Sequence, residues 1–532
     1  MKQLRTSYSA LRTRLALLLI VLVLAASTAS AQDVWTTASA NGEVARQAFL
    51  KCWRFVHGWL QAADPKSGLI PRNFTESPFW NAKDSAADNY PFMVLTTYFT
   101  DRALFEGRMK DMLTTEQRLT NRLDRLPDDF LFATQSFRTP KYKVDDLIFG
   151  AAEYVKDGLL PITELLGPSP WSDRMLGLLD DIWKHGTIDT EVGRVPAASH
   201  EVAGDLMQGL ARTYWMTGNE TYREHAFLLA DYFLLHHLPT EADKLRLDDH
   251  GCEVINGLSE VYYIASKKAP EKHDQWRVPM QKMLDRILEV ARDENGLLIS
   301  LVEPKTGKLL TDDKTDNWGY NYNAFLVVAE ADNEPRFRQA VEFVLSNLLN
   351  NKDYKWENGG SDGYADSLEG GLNLINRLPI PQAMEWADYV GAILLAKPRD
   401  TGVIEGWHGD GNFARTALMY AFWKTQGAYL EPWRADLRIG AAVDPEGYTC
   451  FQVEADWPWH GKLRFDVPRH EEFMHMPSDY PRLNQFPQWF TVPAGATFTT
   501  PTGTVPADDL RQGIPVSVNK DEPFKIRLKP QA

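Results

Sequence analysis

The chain has 532 residues, is 44% hydrophobic and carries a formal charge of −15, so it can bury a large core without covalent staples. That acidic balance argues against nucleic acid as a partner, because phosphate backbones are held by basic surfaces. Three cysteines, Cys52, Cys252 and Cys450, exclude a disulfide scaffold and leave at least one thiol free.

The chain opens with Lys2, Arg5, Arg12 and Arg14, then the apolar run Leu15–Ala26, then Ala29-Ser30-Ala31. This is the pattern of a secretory signal peptide over residues 1–31, and it predicts an exported chain, periplasmic or extracellular, beginning near Gln32. Removing those four bases takes the formal charge from −15 to −19. The apolar run is short for a membrane span, so an uncleaved N-terminal anchor is the lesser alternative, and no later segment reads as a span.

From there to about residue 430 the periodicity is helical. Asn41–Ala62 places Val44, Ala48, Phe49, Cys52, Phe55, Val56 and Trp59 at helical spacing. Further helices are expected over Ala86–Phe105, Lys110–Leu126, Val144–Leu160, Asp173–Lys184, Ser199–Thr217, Glu220–His237 and Asp249–Lys267. The series continues with Asp274–Asp293, Asn317–Ala331, Glu334–Asn350, Asp366–Leu378, Gln382–Ala396 and Asn412–Gly427. Thr217-Gly218-Asn219-Glu220 and Ala331-Asp332-Asn333-Glu334 are short joins that force antiparallel neighbours. Longer joins, at Asp64–Asp84, Val192–Ser199, Asn295–Thr315, Asn351–Ala365 and Pro398–Gly411, roughly alternate with the short ones. In a closed ring of hairpins the long joins would gather at one mouth.

After Pro432 the pattern changes. Leu437–Ala442, Tyr448–Ala455, Gly461–Val467, Gln488–Val492 and Phe524–Leu528 alternate apolar and polar residues between turns, as strands do. Much of Pro468–Pro487 has no regular pattern. The domains expected are a helical one over 32–432 and a small β domain over 433–532.

Several pieces resemble the six-hairpin (α/α) toroid carbohydrate-active enzymes, including unsaturated glucuronyl hydrolases, β-glucuronidase-like families and toroid polysaccharide lyases. They are DPKSGLIP at 64–71, DSAADNYPFM at 84–93, TGNETYREHAFLLADYF at 217–233, EGWHGDGNFARTALMYAFW at 405–423 and PRLNQFPQWFTV at 481–492. The resemblance implies a mainly α fold, an (α/α)6-type toroid of six or seven hairpins followed by a small β-sandwich. It also implies an exported enzyme acting on a uronic-acid-bearing glycan.

A glycosidase needs one carboxyl that keeps its proton and another group that stays charged. Asn358–Gly371 offers Asp362, Asp366 and Glu369, with Asp366 and Glu369 reading equally as a capping box. Gly370 and Gly371 suit a close approach by another backbone or a ligand. Asp88 follows Asp84 at a helix start, where Asp84 reads as the cap. Ser199-His200-Glu201 with Asp205, and Asp248-Asp249-His250-Gly251-Cys252-Glu253, crowd polar groups at two more starts. Trp318, Tyr320 and Tyr322 follow Asp316 and offer stacking faces, or an aromatic core. Trp407-His408-Gly409-Asp410-Gly411-Asn412 is a glycine-interleaved loop one turn before Arg415, which could pair with a substrate carboxylate.

The expected acid/base residues are Asp88, Asp249 and Asp366, with Glu369 in reserve. His200, Glu201, His250, Trp318, Tyr320, Tyr322, Trp407, His408, Asp410 and Arg415 are expected to hold an oligosaccharide. The rival readings are β-elimination, with Tyr320 or Tyr322 and His200 or His250, and a non-catalytic glycan-binding toroid. No zinc, calcium, phosphate-loop, dinucleotide or GxSxG pattern is present in the sequence, so no metal or cofactor is expected.

Overall fold

The computed structural model describes residues 34–531 except 76–77 and 405–408. The expected signal peptide, Trp407 and His408 lie outside the described residues. No described helix is long and apolar enough to cross a membrane. The chain divides into two compact units: one takes Ala48–Tyr420 and Pro468–Gln488, the other takes Ala421–Val467, Trp489–Ala532 and the chain before Ala48.

The principal helices, among the described residues, are α1 (34–62), α2 (Tyr90–Thr100) and α3 (Lys110–Thr120). Next are α4 (Val144–Glu153, continuing to Leu166), α5 (Pro170–His185), α6 (His200–Thr217), α7 (Glu220–Asp231) and α8 (Glu253–Lys268). The series ends with α9 (Pro270–Val290), α10 (Trp318–Asp332), α11 (Pro335–Asn347), α12 (Ser361–Arg377), α13 (Pro381–Leu395) and α14 (Gly409–Thr425). Local chemistry sets the short joins. After α6, Gly218 turns left-handed and the Asn219 side chain caps α7. After α10, Asn333 plays the left-handed part, and Pro335 opens α11.

The even-numbered helices form an inner ring and the odd-numbered ones pack outside it, an α/α toroid of seven inner helices among the described residues. Small residues let the inner helices touch. A Cβ on Gly319 of α10 would lie 2.5 Å from the Gly370 backbone of α12, so neither position admits a side chain. The ring closes where Gly411 of α14 meets the carbonyl of Asp88, 2.1 Å from where its Cβ would be. Thr416 Oγ1 of α14 donates to the Ala365 carbonyl of α12 at 3.0 Å. The long joins all precede inner helices, so the inner helices are parallel and their N-terminal ends share one mouth.

Pro468–Gln488 belongs to the helical unit and enters the ring from the other end. Asp479 meets Arg377, the last residue of α12, at 3.0 Å. Arg482 pairs with Glu164 near the end of α4 at 2.7 Å. The Leu483 carbonyl accepts from Arg212 of α6 at 2.8 Å. This segment is a plug, and its irregular pattern follows from satisfying its backbone with side chains of the ring rather than with a strand partner.

In the second unit two antiparallel sheets share one apolar core. One holds Tyr429–Glu431, Trp459–Arg464 and Ile514–Val518; the other orders Arg438–Val443, Thr449–Glu454, Phe524–Pro530, Thr497–Thr500 and Gly503–Pro506. Leu430, Leu463 and Val516 of the first pack with Ile439, Phe451, Val453 and Leu528 of the second, a small β-sandwich. The first turns of α1 join this unit, where Asn41 Nδ2 donates to the Ala441 carbonyl at 2.8 Å. The strand expected over Gln488–Val492 is not formed; Thr491 makes a single bridge to Asp466.

Candidate active site

The mouth of the ring opens into a cavity of about 330 Å3 whose floor is Leu483, the tip of the plug. Nine carboxyl and five cationic side chains line it. On α12 the helix begins at Ser361, five residues before the expected start, with Gly360 in the cap position and no side-chain cap. Asp366 and Glu369 are therefore not a capping box. They extend Asp362 into one stripe at i, i+4 and i+7 facing inward.

Asp366 accepts from Arg415 Nη2 at 2.5 Å and from Asn317 Nδ2 at 3.1 Å. Glu369 lies wholly buried behind it, paired with the Arg415 Nε and accepting from the Tyr320 hydroxyl at 2.8 Å and the Asn484 N–H at 2.9 Å. Burial pushes the Glu369 carboxyl up to about 7, against the pull of Arg415. Asp362 accepts from Asn412 Nδ2, and burial followed by the charge of Asp366 pushes it up to about 7.

Asp84 and Asp88 sit on a wide π-type turn, Ala82–Asn89, that leads into α2. Asn81, not Asp84, is the cap: its side chain accepts from the N–H groups of Asp84 and Ser85. Asp84 pairs instead with Arg72. Burial, then the charges of Asp157, Asp84 and Asp362, hold the Asp88 carboxyl well above the usual range. A second wide turn, Tyr154–Leu159, carries Lys156 and Asp157 within the α4 segment. Such turns rotate a side chain out of helical register and recur at functional sites. Lys156 Nζ lies 2.7 Å from Asp157 and 2.6 Å from Glu253. Burial works against the Asp157 charge, but Lys156 outweighs it and the carboxyl sits at about 2. At Glu153, 3.8 Å from His250 Nδ1, burial and the charges of Asp205 and Asp157 outweigh Lys156 and raise the carboxyl well above its ordinary value.

His250 Nδ1 is 3.0 Å from Glu201 and its Nε2 is 3.2 Å from Asp249. Burial opposes its charge, yet Glu201 and Asp249 raise it to about 9, so it is an imidazolium at neutral pH. Ligand atoms of Glu153, Glu201 and His250 lie within 4.8 Å of one another, the one grouping among the described residues that could take a cation in place of that proton. Two lining residues adopt left-handed backbone that side chains resist, Asp249 with φ +37° and Glu357 with φ +44°. Strain of this kind collects where the surroundings over-determine a site.

The structure thus brings Asp88, Asp249, His250, Tyr320, Asp366 and Arg415 to one cavity, with Glu369 behind them and Glu201 at the His250 edge. Others fall elsewhere. Trp318 is fully buried, donates to Ser367 Oγ at 2.8 Å and packs on Trp386; it is core and not a sugar platform. Tyr322 is buried with its hydroxyl on the Gly296 carbonyl at 2.6 Å. An inner helix is enclosed on every side, so aromatic residues two apart cannot all face the mouth. His200 lies off the cavity, 5.7 Å from the Phe233 ring. Asp410 is buried and accepts from Trp59 Nε1 and the Ile404 N–H, each at 3.1 Å, so it pins the start of α14.

Asp362 and Glu253 fall in stretches the sequence singles out but are not among the residues expected to act, and Glu153, Lys156, Asp157, Glu357 and Asn484 are not singled out at all. Glu153 and Asp157 had a usable signal, charged residues four apart inside the apolar run GAAEYVKDGLLP. Asn484 had none, because its segment lacks periodicity.

No protein-family profile and no curated protein sequence matches the chain. Solved structures with a similar chain path include a sugar epimerase from a ruminal bacterium, with 12% identity over 57% of this chain and 95% of that one, TM-score 0.41. An α-1,6-mannanase from Salegentibacter sp. has 13% identity over 72% of this chain and 98% of that one, TM-score 0.39. A cellobiose 2-epimerase from Bacillus thermoamylovorans has 12% identity over 52% of this chain and 87% of that one, TM-score 0.38. Likenesses this distant say nothing about chemistry.

Proposed function

We propose that the chain is a glycoside hydrolase whose cavity receives one end of a glycan, an exported enzyme if the leading segment acts as a signal peptide. The observation that carries this is the pairing of Asp88 and Asp366 in one cavity with different surroundings. Burial, and then the neighbouring acids, favour a proton on Asp88, which serves as general acid. Asp366 is oriented by Arg415 and Asn317 and serves as the base for water or as the nucleophile. Asp362, one turn from Asp366, helps keep Asp88 protonated. Asp249 and His250 sit on the wall for substrate hydroxyls.

The elimination reading has less support. Tyr322 is core, and the Tyr320 hydroxyl donates to Glu369 and lies 3.1 Å from Arg415, so neither tyrosine stands ready as a base. A non-catalytic binding protein would not need so many acids crowded into one cavity, which destabilise the fold they sit in. The test is a panel of glycan oligosaccharides incubated with the purified chain and read by mass. Hydrolysis adds one water to the summed products. Products without added water, or a rearranged sugar of unchanged mass, overturn the reading.

A further inference from the structure

We infer that this cavity takes neutral sugar units and discriminates against uronates, an inference that rests on the cavity being the sugar site. It replaces the uronic-acid substrate that the family resemblance implies. A uronate site needs a cation whose donors are open to the substrate carboxylate. Here the cations deep in the cavity are already held by protein acids. Arg415 is 3% exposed, and its guanidinium divides between Asp366 and Glu369. Lys156 is 4% exposed and bridges Asp157 and Glu253. His250 is not deep, its side chain being 39% exposed on the wall, but both its ring nitrogens already face acids, Glu201 and Asp249.

Arg72 pairs with Asp84. Lys83 remains, but it is exposed on the rim, its ammonium 4.9 Å from the centre of the Phe149 ring. An exposed lysine at a rim contributes little specificity for a buried carboxylate. The groups that face the space itself are mostly acceptors. Carboxylates and asparagine amides match the donor-rich rim of a neutral pyranose, whereas a substrate carboxylate would meet an acid-lined wall whose Arg415 is already taken up by Asp366 and Glu369.

The experiment uses matched pairs of oligosaccharides, each neutral chain and its counterpart oxidised at C6 to the uronate. Binding to the intact protein is measured by calorimetry at low and high salt, and turnover by mass. The expected result is a neutral member bound with little salt dependence, its oxidised partner at least tenfold weaker, and a Lys83→Gln variant with the same preference. Equal or tighter binding of the uronate, or no binding of any neutral member, overturns the inference. Neutral binding without gain of water leaves it standing and removes the hydrolase reading. Preferred hydrolysis of the uronate does the reverse.

Discussion

The mouth and the plug of the ring are built from the same residue types and behave oppositely. Around the plug each acid meets arginine: on the ring Glu164 faces Arg212 and Arg482 and Glu260 faces Arg212, and on the plug Asp479 faces Arg377 and Arg482. Burial raises Glu164 and Asp479, but the arginines win and both carboxyls lie below their ordinary values. In the mouth acids outnumber cations, and Asp88, Glu153, Asp362 and Glu369 are pushed upward. Charge balance, not composition, separates a region that holds structure from one that holds protons.

The largest expected effect sharpens that contrast. Asp88→Asn and Asp366→Asn should each lower kcat by about 10²–10⁴-fold on a glycan substrate, while Asp88→Asn, which replaces a carboxyl that already holds a proton, should leave thermal unfolding nearly unchanged. A melting temperature that falls as far as in a plug variant breaks the comparison. Next comes Arg482→Met, which takes one of two arginine partners from each of Glu164 and Asp479; urea unfolding should show a loss of about 3–5 kcal/mol. If stability is unaltered, the plug is not what closes the ring.

A smaller effect belongs to Asn484, where mouth and plug meet. Its Nδ2 donates to Asp157 at 2.6 Å, its Oδ1 accepts from Arg415 at 3.1 Å, and its N–H holds Glu369. It is a positioning residue. Asn484→Ala should reduce kcat by the equivalent of about 1–3 kcal/mol with KM nearly constant, and Asn484→Asp should not restore it. A change in KM alone would instead mark Asn484 as a substrate contact.

The smallest effect is in pH. A carboxyl whose folded pKa is raised stabilises the fold most when protonated, so the mouth's contribution declines as pH rises from the ordinary carboxylate range through about 7 for Asp362 and Glu369. The plug acids have lowered values, and their contribution is lost as pH falls through them. Asp362→Asn removes a charge that raises Asp88, so the high-pH limb of kcat/KM should move to lower pH. A limb that moves upward would mean Asp88 is not the proton donor.

Much of this architecture is local and was readable along the chain. Helix pairs follow from apolar periodicity, and the Gly218-Asn219 and Asn333 joins follow from turn chemistry. The glycines at 370 and 411 announce close backbone approach. Caps were less legible. Asn81 displaced Asp84 as a cap, and α12 began at Ser361, because backbone donors choose among several nearby oxygens by geometry that sequence order does not record.

What the sequence by itself determined is which residues are helical, which joins are long, and hence that Asp88, Asp249, His250, Asp366 and Arg415 lie near inner-helix starts. What only the tertiary structure decided is which of those groups face one another. Trp318 and Tyr322 turned into the core, Lys156 and Asp157 were swung out by a wide turn, and Asn484 arrived from more than a hundred positions away along the chain. Electrostatic state depends on distance and burial, and both are properties of the closed ring rather than of any segment in it.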